Sequence, residues 1–165
     1  MSDDAPLDRT IPQPPSASET EMVQVVLPND ANPLGFILGG TVMHLVDIAA
    51  AVAAYRHTRE LIVTAAVDGL EFLHPIKVGD LIVLKSRVTA TFRTSMEVEV
   101  HVYSEETLTG ERRLTSHAYL TFATVNREGR HVPVRPLLLE TQEDRRIAAE
   151  AAKRREERLK RRSRQ

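Results

Sequence analysis

The chain has 165 residues, 42% of them hydrophobic and 27% charged, with a formal net charge of −1. That is one domain's worth of ordinary globular sequence with room for tails, able to bury a core without covalent staples. The absence of cysteine excludes disulfides, thiolate catalysis and thiolate-held metals, and the balanced charge calls for neither a nucleic acid nor a membrane partner.

The opening stretch MSDDAPLDRT is acidic and polar, without the basic start and apolar run of a signal peptide, so a cytoplasmic protein is expected. IPQPPSASET continues it. Such Pro-rich polar segments bury too little apolar surface to order themselves, which predicts a flexible arm over residues 1–20. Met22–Leu27 reads as a short strand before the turn signal PND, and Asn32–Gly40 as a loop with one Pro and three Gly. Thr41–Arg56 lacks Pro and Gly and is rich in Ala, which predicts a helix of about four turns. It is apolar nearly all round, the mark of a helix buried on most faces. Its longest apolar stretch, Val46–Ala54, is interrupted by Asp47 and is too short to span a bilayer.

Four strand-like runs follow, Leu61–Leu73, Leu81–Phe92, Ser95–Tyr103 and Arg112–Val125, broken by turn chemistry at HPIKVGD, FRTS and TLTGE. The third alternates: Met96, Val98, Val100 and Val102 point one way, Glu97, Glu99, His101 and Tyr103 the other. One domain is expected over 21–141, with a basic helical tail over 142–165. From Arg145 the tail sets ten Lys or Arg against three Glu, a net +7 that leaves about −8 on the rest. Its helix propensity is strong and it has no broad apolar face, so a solvated helix is expected there. A strand, a buried helix and a meander of strands make an α+β order. A sheet can cover only one side of such a helix, and a second copy of the chain is the simplest cover for the other.

Asp47 is the anomaly. It stands mid-helix in VMHLVDIAAAVAAY, where every near neighbour except His44 is apolar, and aspartate is rarely buried without a partner. A partly desolvated carboxylate beside a cleft suits a general base, whereas a structural Asp held by a His or Arg suits the same pattern equally well. The Gly39–Gly40 pair stands at the helix start. Bare amides there carry partial positive charge and let an oxygen approach closely, as an oxyanion hole requires, although a glycine pair also serves tight packing alone. Asn32, in the loop before, offers a carboxamide that both donates and accepts.

The string VVLPNDANPLGFILGGTVMHLVDIAAAVAAYRH is similar to the signature of the acyl-CoA hydrolase branch of hotdog thioesterases, the brain-type enzymes and their small bacterial relatives. VTAAVDGLEFLHPIKVGD and FRTSMEVEVHVYSEETLTGE look like the next two segments of that family, so the resemblance runs from Met22 to Thr141. It implies an antiparallel sheet wrapped around one long central helix, in an oligomer with shared sites, as a dimer or a trimer of dimers forming a hexamer. It further implies hydrolysis of fatty acyl-CoA with neither metal nor organic cofactor. Asp47 would activate water, or less commonly act as nucleophile. Asn32 would face the partner's Asp47 across the interface, and Gly40 would supply the oxyanion N–H. Gly39 and Thr41 would line the substrate, with Arg93, Thr94 and Ser95 beside the pantetheine arm.

Other chemistry is weakly supported. The six histidines show no HExxH motif and no close metal-ligand pairing, and no GxSxG, GxxxxGK[ST] or GxGxxG motif occurs. His44 lies one turn before Asp47 and suits packing or support of that residue. Asp68, next to Gly69, could line a site, but a bulge or turn acceptor is the commoner use of Asp there. Two alternatives stay open. One is a hydroxyacyl-CoA dehydratase, against which stands Asn32 where such enzymes carry a loop His. The other is a non-catalytic acyl-CoA sensor, which would need a DNA-binding module that the short Pro-rich arm does not supply.

Overall fold

The computed structural model describes residues 7–165; the first part of the expected arm, residues 1–6, lies outside the described residues. Five strands form one antiparallel sheet in the order β1-β3-β4-β5-β2. They are β1 (Thr20–Val25), β2 (Leu61–Asp68), β3 (Leu81–Thr91), β4 (Ser95–Glu105) and β5 (Arg112–Val125). Helix α1 (Gly39–Thr58) lies against one face of the sheet and α2 (Gln142–Arg162) against the other. The sheet wraps the long α1, which is the expected α+β hotdog arrangement.

The core follows the alternation of β4. Met96, Val98, Val100 and Val102 are fully buried and meet Val42, Leu45, Val46, Ala49, Ala50 and Ala53 of α1. Alanines on the sheet-facing side of the helix permit close approach, and the Ser86 hydroxyl of β3 donates to the Ala49 carbonyl at 2.7 Å. The helix ends at Arg59, whose left-handed backbone (φ 53°) lets its N–H close on the Tyr55 carbonyl. Strands β1 and β2 are the sheet edges, and β2 leaves Leu61, Val63 and Val67 exposed.

Three sequence expectations change. The order expected to begin after residue 20 begins earlier, because Gln13 bridges to Leu137 and the 3₁₀ turn Pro15–Ser18 packs inward. Ser18 is fully buried there, and its hydroxyl accepts from the Val88 N–H. The run read as a strand to Leu73 stops at Asp68. Gly69 turns at φ +70° and the regular ladder ends; Phe72 then reaches the start of α1 at Gly39, while Leu73 N–H keeps one bond to the Thr115 carbonyl of β5.

The third change is the basic tail, which is docked. Ala151 of α2 is fully buried, and Arg154 forms a 2.8 Å ion pair with Glu97, itself only 3% exposed. The Arg154 guanidinium lies 3.6 Å from the Tyr119 ring centre. Long cationic side chains cover sheet surface with their stems, which an apolar-stripe criterion does not register. No helix among the described residues is long and apolar enough to cross a membrane.

Candidate active site

The loop before α1 is built around Asn32. Its carboxamide oxygen accepts from the N–H groups of Leu34 (3.0 Å) and Phe36 (3.2 Å), and the Asn32 backbone N–H donates to the Phe36 carbonyl. The carboxamide NH₂ is thereby left as the group this side chain can offer a ligand. Gly35 takes φ +84° to close the turn. Leu38 N–H to Asp30 O and Ile37 N–H to Ile76 O then fix the entry into the helix.

Leu38 stands at the N-cap of α1 and no side chain among the described residues caps the helix, so its first amides lack partners within the helix and point outward with the positive end of its dipole. The two glycines differ. A Cβ on Gly39 would touch the Phe72 ring at 3.4 Å, whereas one on Gly40 would meet nothing within 4 Å. Gly39 therefore lies against the Phe72 ring, where a methyl would make ordinary contact, and Gly40 faces open space. Asn32 and Gly39 share the wall of a cavity of about 330 Å³ with Val42, Phe72, Leu73 and Ile76. Thr41 sits half-buried in the same first turn of the helix.

Asp47 stands two turns further along α1, half-buried, and is not on that cavity wall. It accepts a 2.8 Å hydrogen bond from the Thr64 hydroxyl on edge strand β2. Thr64 was not singled out from the sequence; a threonine in a strand is too ordinary to flag. His44 is exposed and makes no hydrogen bond to Asp47 among the described residues. Asp68 neither lines the cavity nor caps a turn: it pairs with Arg158 (3.1 Å) and Arg161 (3.5 Å) of α2.

The Arg93–Ser95 turn is not brought to the cavity within one chain. Thr94 O accepts from Thr124 N–H at one end of β5, whereas Thr115 lines the cavity about 30 Å away near the other end.

The histidines, read as forming no close pairing, do meet at one place on the α2 side of the sheet. The rings of His101 and His117 stack at 4.0 Å, beside Glu99. Burial pushes the Glu99 carboxyl up, but the neighbouring imidazole of His117 and the bonded Arg87 guanidinium pull it below the usual carboxylate range.

A Thioesterase superfamily profile matches residues 34–111. An uncharacterized acyl-CoA thioester hydrolase of Bacillus subtilis is 38% identical over 135 residues, 81% of this chain and 78% of that one. The cytosolic acyl coenzyme A thioester hydrolase of Homo sapiens is 35% identical, and the chain spans 36% of its length. Among solved structures, an apo-hexameric acyl-CoA thioesterase superposes with a TM-score of 0.86 at 41% identity, covering 92% of this chain and 97% of that one. An acyl-CoA hydrolase of Staphylococcus aureus, solved with butyryl coenzyme A and coenzyme A, superposes at 0.83 with 31% identity, covering 91% and 92%. Structures of that enzyme include alanine variants at an asparagine, an aspartate and a threonine, spaced along its chain as Asn32, Asp47 and Thr64 are along this one. This chain belongs to the thioesterase superfamily, among its acyl-CoA thioester hydrolases.

Proposed function

We propose that the chain hydrolyses fatty acyl-CoA thioesters to the free acid and coenzyme A, in sites built between two copies. The observation that carries this reading is the carboxylate of Asp47, held by one hydroxyl donor on an apolar helix that begins with uncapped amides. Asp47 takes a proton from water as the water attacks the acyl carbonyl. The oxygen that gains charge receives the Gly40 N–H and the Asn32 NH₂. Collapse of the tetrahedral intermediate expels the thiolate of coenzyme A, a good leaving group that needs no strong acid. Neither a metal nor an organic cofactor enters these steps.

Helix geometry argues for the sharing. Gly40 and Asp47 are separated by about 10 Å of rise on one helix, and the amides at its start point away from Asp47. Water, carbonyl and donor need contacts of about 3 Å each, so Asp47 of one copy is best matched to Asn32 and Gly40 of another. Gly39, Thr41 and the turn Arg93–Thr94–Ser95 are the proposed contacts of the thioester and pantetheine arm, the last reached only in the assembly. A trimer of such dimers, acting in the cytoplasm, is supported by the hexameric and cytosolic relatives.

The test is release of coenzyme A thiol from a panel of acyl-CoA chain lengths. Asp47→Asn is expected to lower turnover by about 10²-fold or more with the circular dichroism spectrum unchanged. Near-normal hydrolysis by that variant would remove Asp47 from the mechanism.

A further inference from the structure

We propose that Glu99, His101 and His117 form a binding site for one divalent transition-metal cation of the zinc class, on the face of the sheet opposite α1. Glu99 and His101 are two apart on β4 and so project from the same face, and His117 on β5 is paired directly with His101. One ligand atom from each of the three residues lies within 4.8 Å of the others. Donors around a tetrahedral zinc ion stand about 3.3 Å apart, so closing the set calls for the side-chain donors to draw together by about 1.5 Å.

Two further observations point to a ligand. The Nε2 atom of His117 is buried with no hydrogen-bond partner among the described residues, and at 3.7 Å it is too far from Glu99 Oε2 to bond it. An ion between them would satisfy both. Arg87 holds the other Glu99 oxygen at 2.8 Å, which orients the carboxylate toward His117 in the manner of a residue supporting a metal ligand. A cleft of about 500 Å³, lined by His101 and Glu99, opens beside the set and gives an ion access. Glu19 and Glu21 in its wall offset the charge of Arg87 and Lys85.

Two imidazoles and one carboxylate select zinc, cobalt or nickel over calcium and magnesium, which prefer oxygen donors throughout. A bound ion would tie β4 to β5 and leave a coordination position facing the cleft. None of the three residues belongs to the proposed hydrolytic site.

The experiment uses the full, untagged oligomer, stripped with chelator and exchanged into chelator-free buffer. Cobalt is titrated while its visible absorption bands are followed, and zinc is then added to displace it. One cobalt per chain, displaced by zinc, is expected. His117→Ala and Glu99→Gln should each weaken binding beyond the roughly 10- to 100-fold typical of losing a supporting residue. His131→Ala, an exposed histidine elsewhere, should bind as the parent does. Unchanged acyl-CoA hydrolysis in both ligand variants shows that the chain is folded, and His117→Gln replaces His117→Ala if the latter misfolds. Absence of saturable binding, or equal binding by the parent and both ligand variants, overturns the site.

Discussion

Thr64 gives Asp47 the one hydrogen bond that its carboxylate receives among the described residues. A bond to a charged group is worth about 1.5–3 kcal/mol, and only the part realised in the transition state affects rate. Thr64→Val keeps the shape and removes the donor, so turnover should fall about 10-fold, while Thr64→Ser should restore most of it. A Val variant as active as the parent would show that Asp47 needs no such support. Asp47 was legible because a charge in an apolar helix is rare. Thr64 was not, because its partnership depends on which edge strand folds over α1.

His57 offers a pH-dependent test at the same scale. It is fully buried near the end of α1, with Nε2 placed 2.8 Å from the Arg135 carbonyl, so that nitrogen carries the proton. Nδ1 has no partner among the described residues. Burial holds the ring below the ordinary histidine value of 6.5, with Arg135 opposing protonation further and its carbonyl favouring it. From 6.5 downward the unfolded chain therefore binds the proton more readily than the folded one, and stability is lost as pH falls through the lowered value. The melting temperature should drop as pH falls below 6.5, and less steeply in His57→Gln, which keeps a donor for the Arg135 carbonyl but does not titrate. Equal slopes would assign the acid sensitivity elsewhere.

At the scale of elements, β5 was legible to its bounds from the turn residues around it, and β4 to within two residues from its alternation of apolar and polar side chains. The docking of α2 was not. Its inward row is Ile147, Ala151, Arg154 and Arg158, an apolar residue, a small one and two cations, and only the acids waiting on the sheet make that row a face. The histidine pair was hidden for a similar reason, since His101 and His117 meet only through the β4–β5 register. The burial of Glu97 makes Arg154 its necessary counter-charge. Arg154→Ala should cost about 3 kcal/mol in urea unfolding, the lower end for a broken buried pair because Arg154 keeps 24% of its side chain exposed. Adding Glu97→Gln should recover most of that loss, since the buried charge is then gone. A loss under about 1 kcal/mol for the single variant would mean that Glu97 is rehydrated when its partner leaves.

For the whole molecule, the unfinished surface is the side of α1 and β2 that the sheet does not cover. Met43, Ile48 and Tyr55 on the helix and Leu61, Val63 and Val67 on the strand are 37–50% exposed, along an unpaired edge. A long apolar edge strand left open invites pairing, and a second copy about a twofold axis covers it symmetrically. The sequence showed that α1 needed cover but not which residues would face each other across it. If sites are shared as proposed, chains carrying Asp47→Asn and chains carrying Asn32→Ala, each inactive alone, should complement one another. In a mixed dimer one site combines both defects and the other combines the intact Asp47 of one copy with the intact Asn32 of its neighbour. With equal mixing, half the dimers are mixed and half their sites are whole, so co-expression should restore about a quarter of the parent activity. Were both residues drawn from the same chain, no mixed site would be whole and the mixture would stay as inactive as its components.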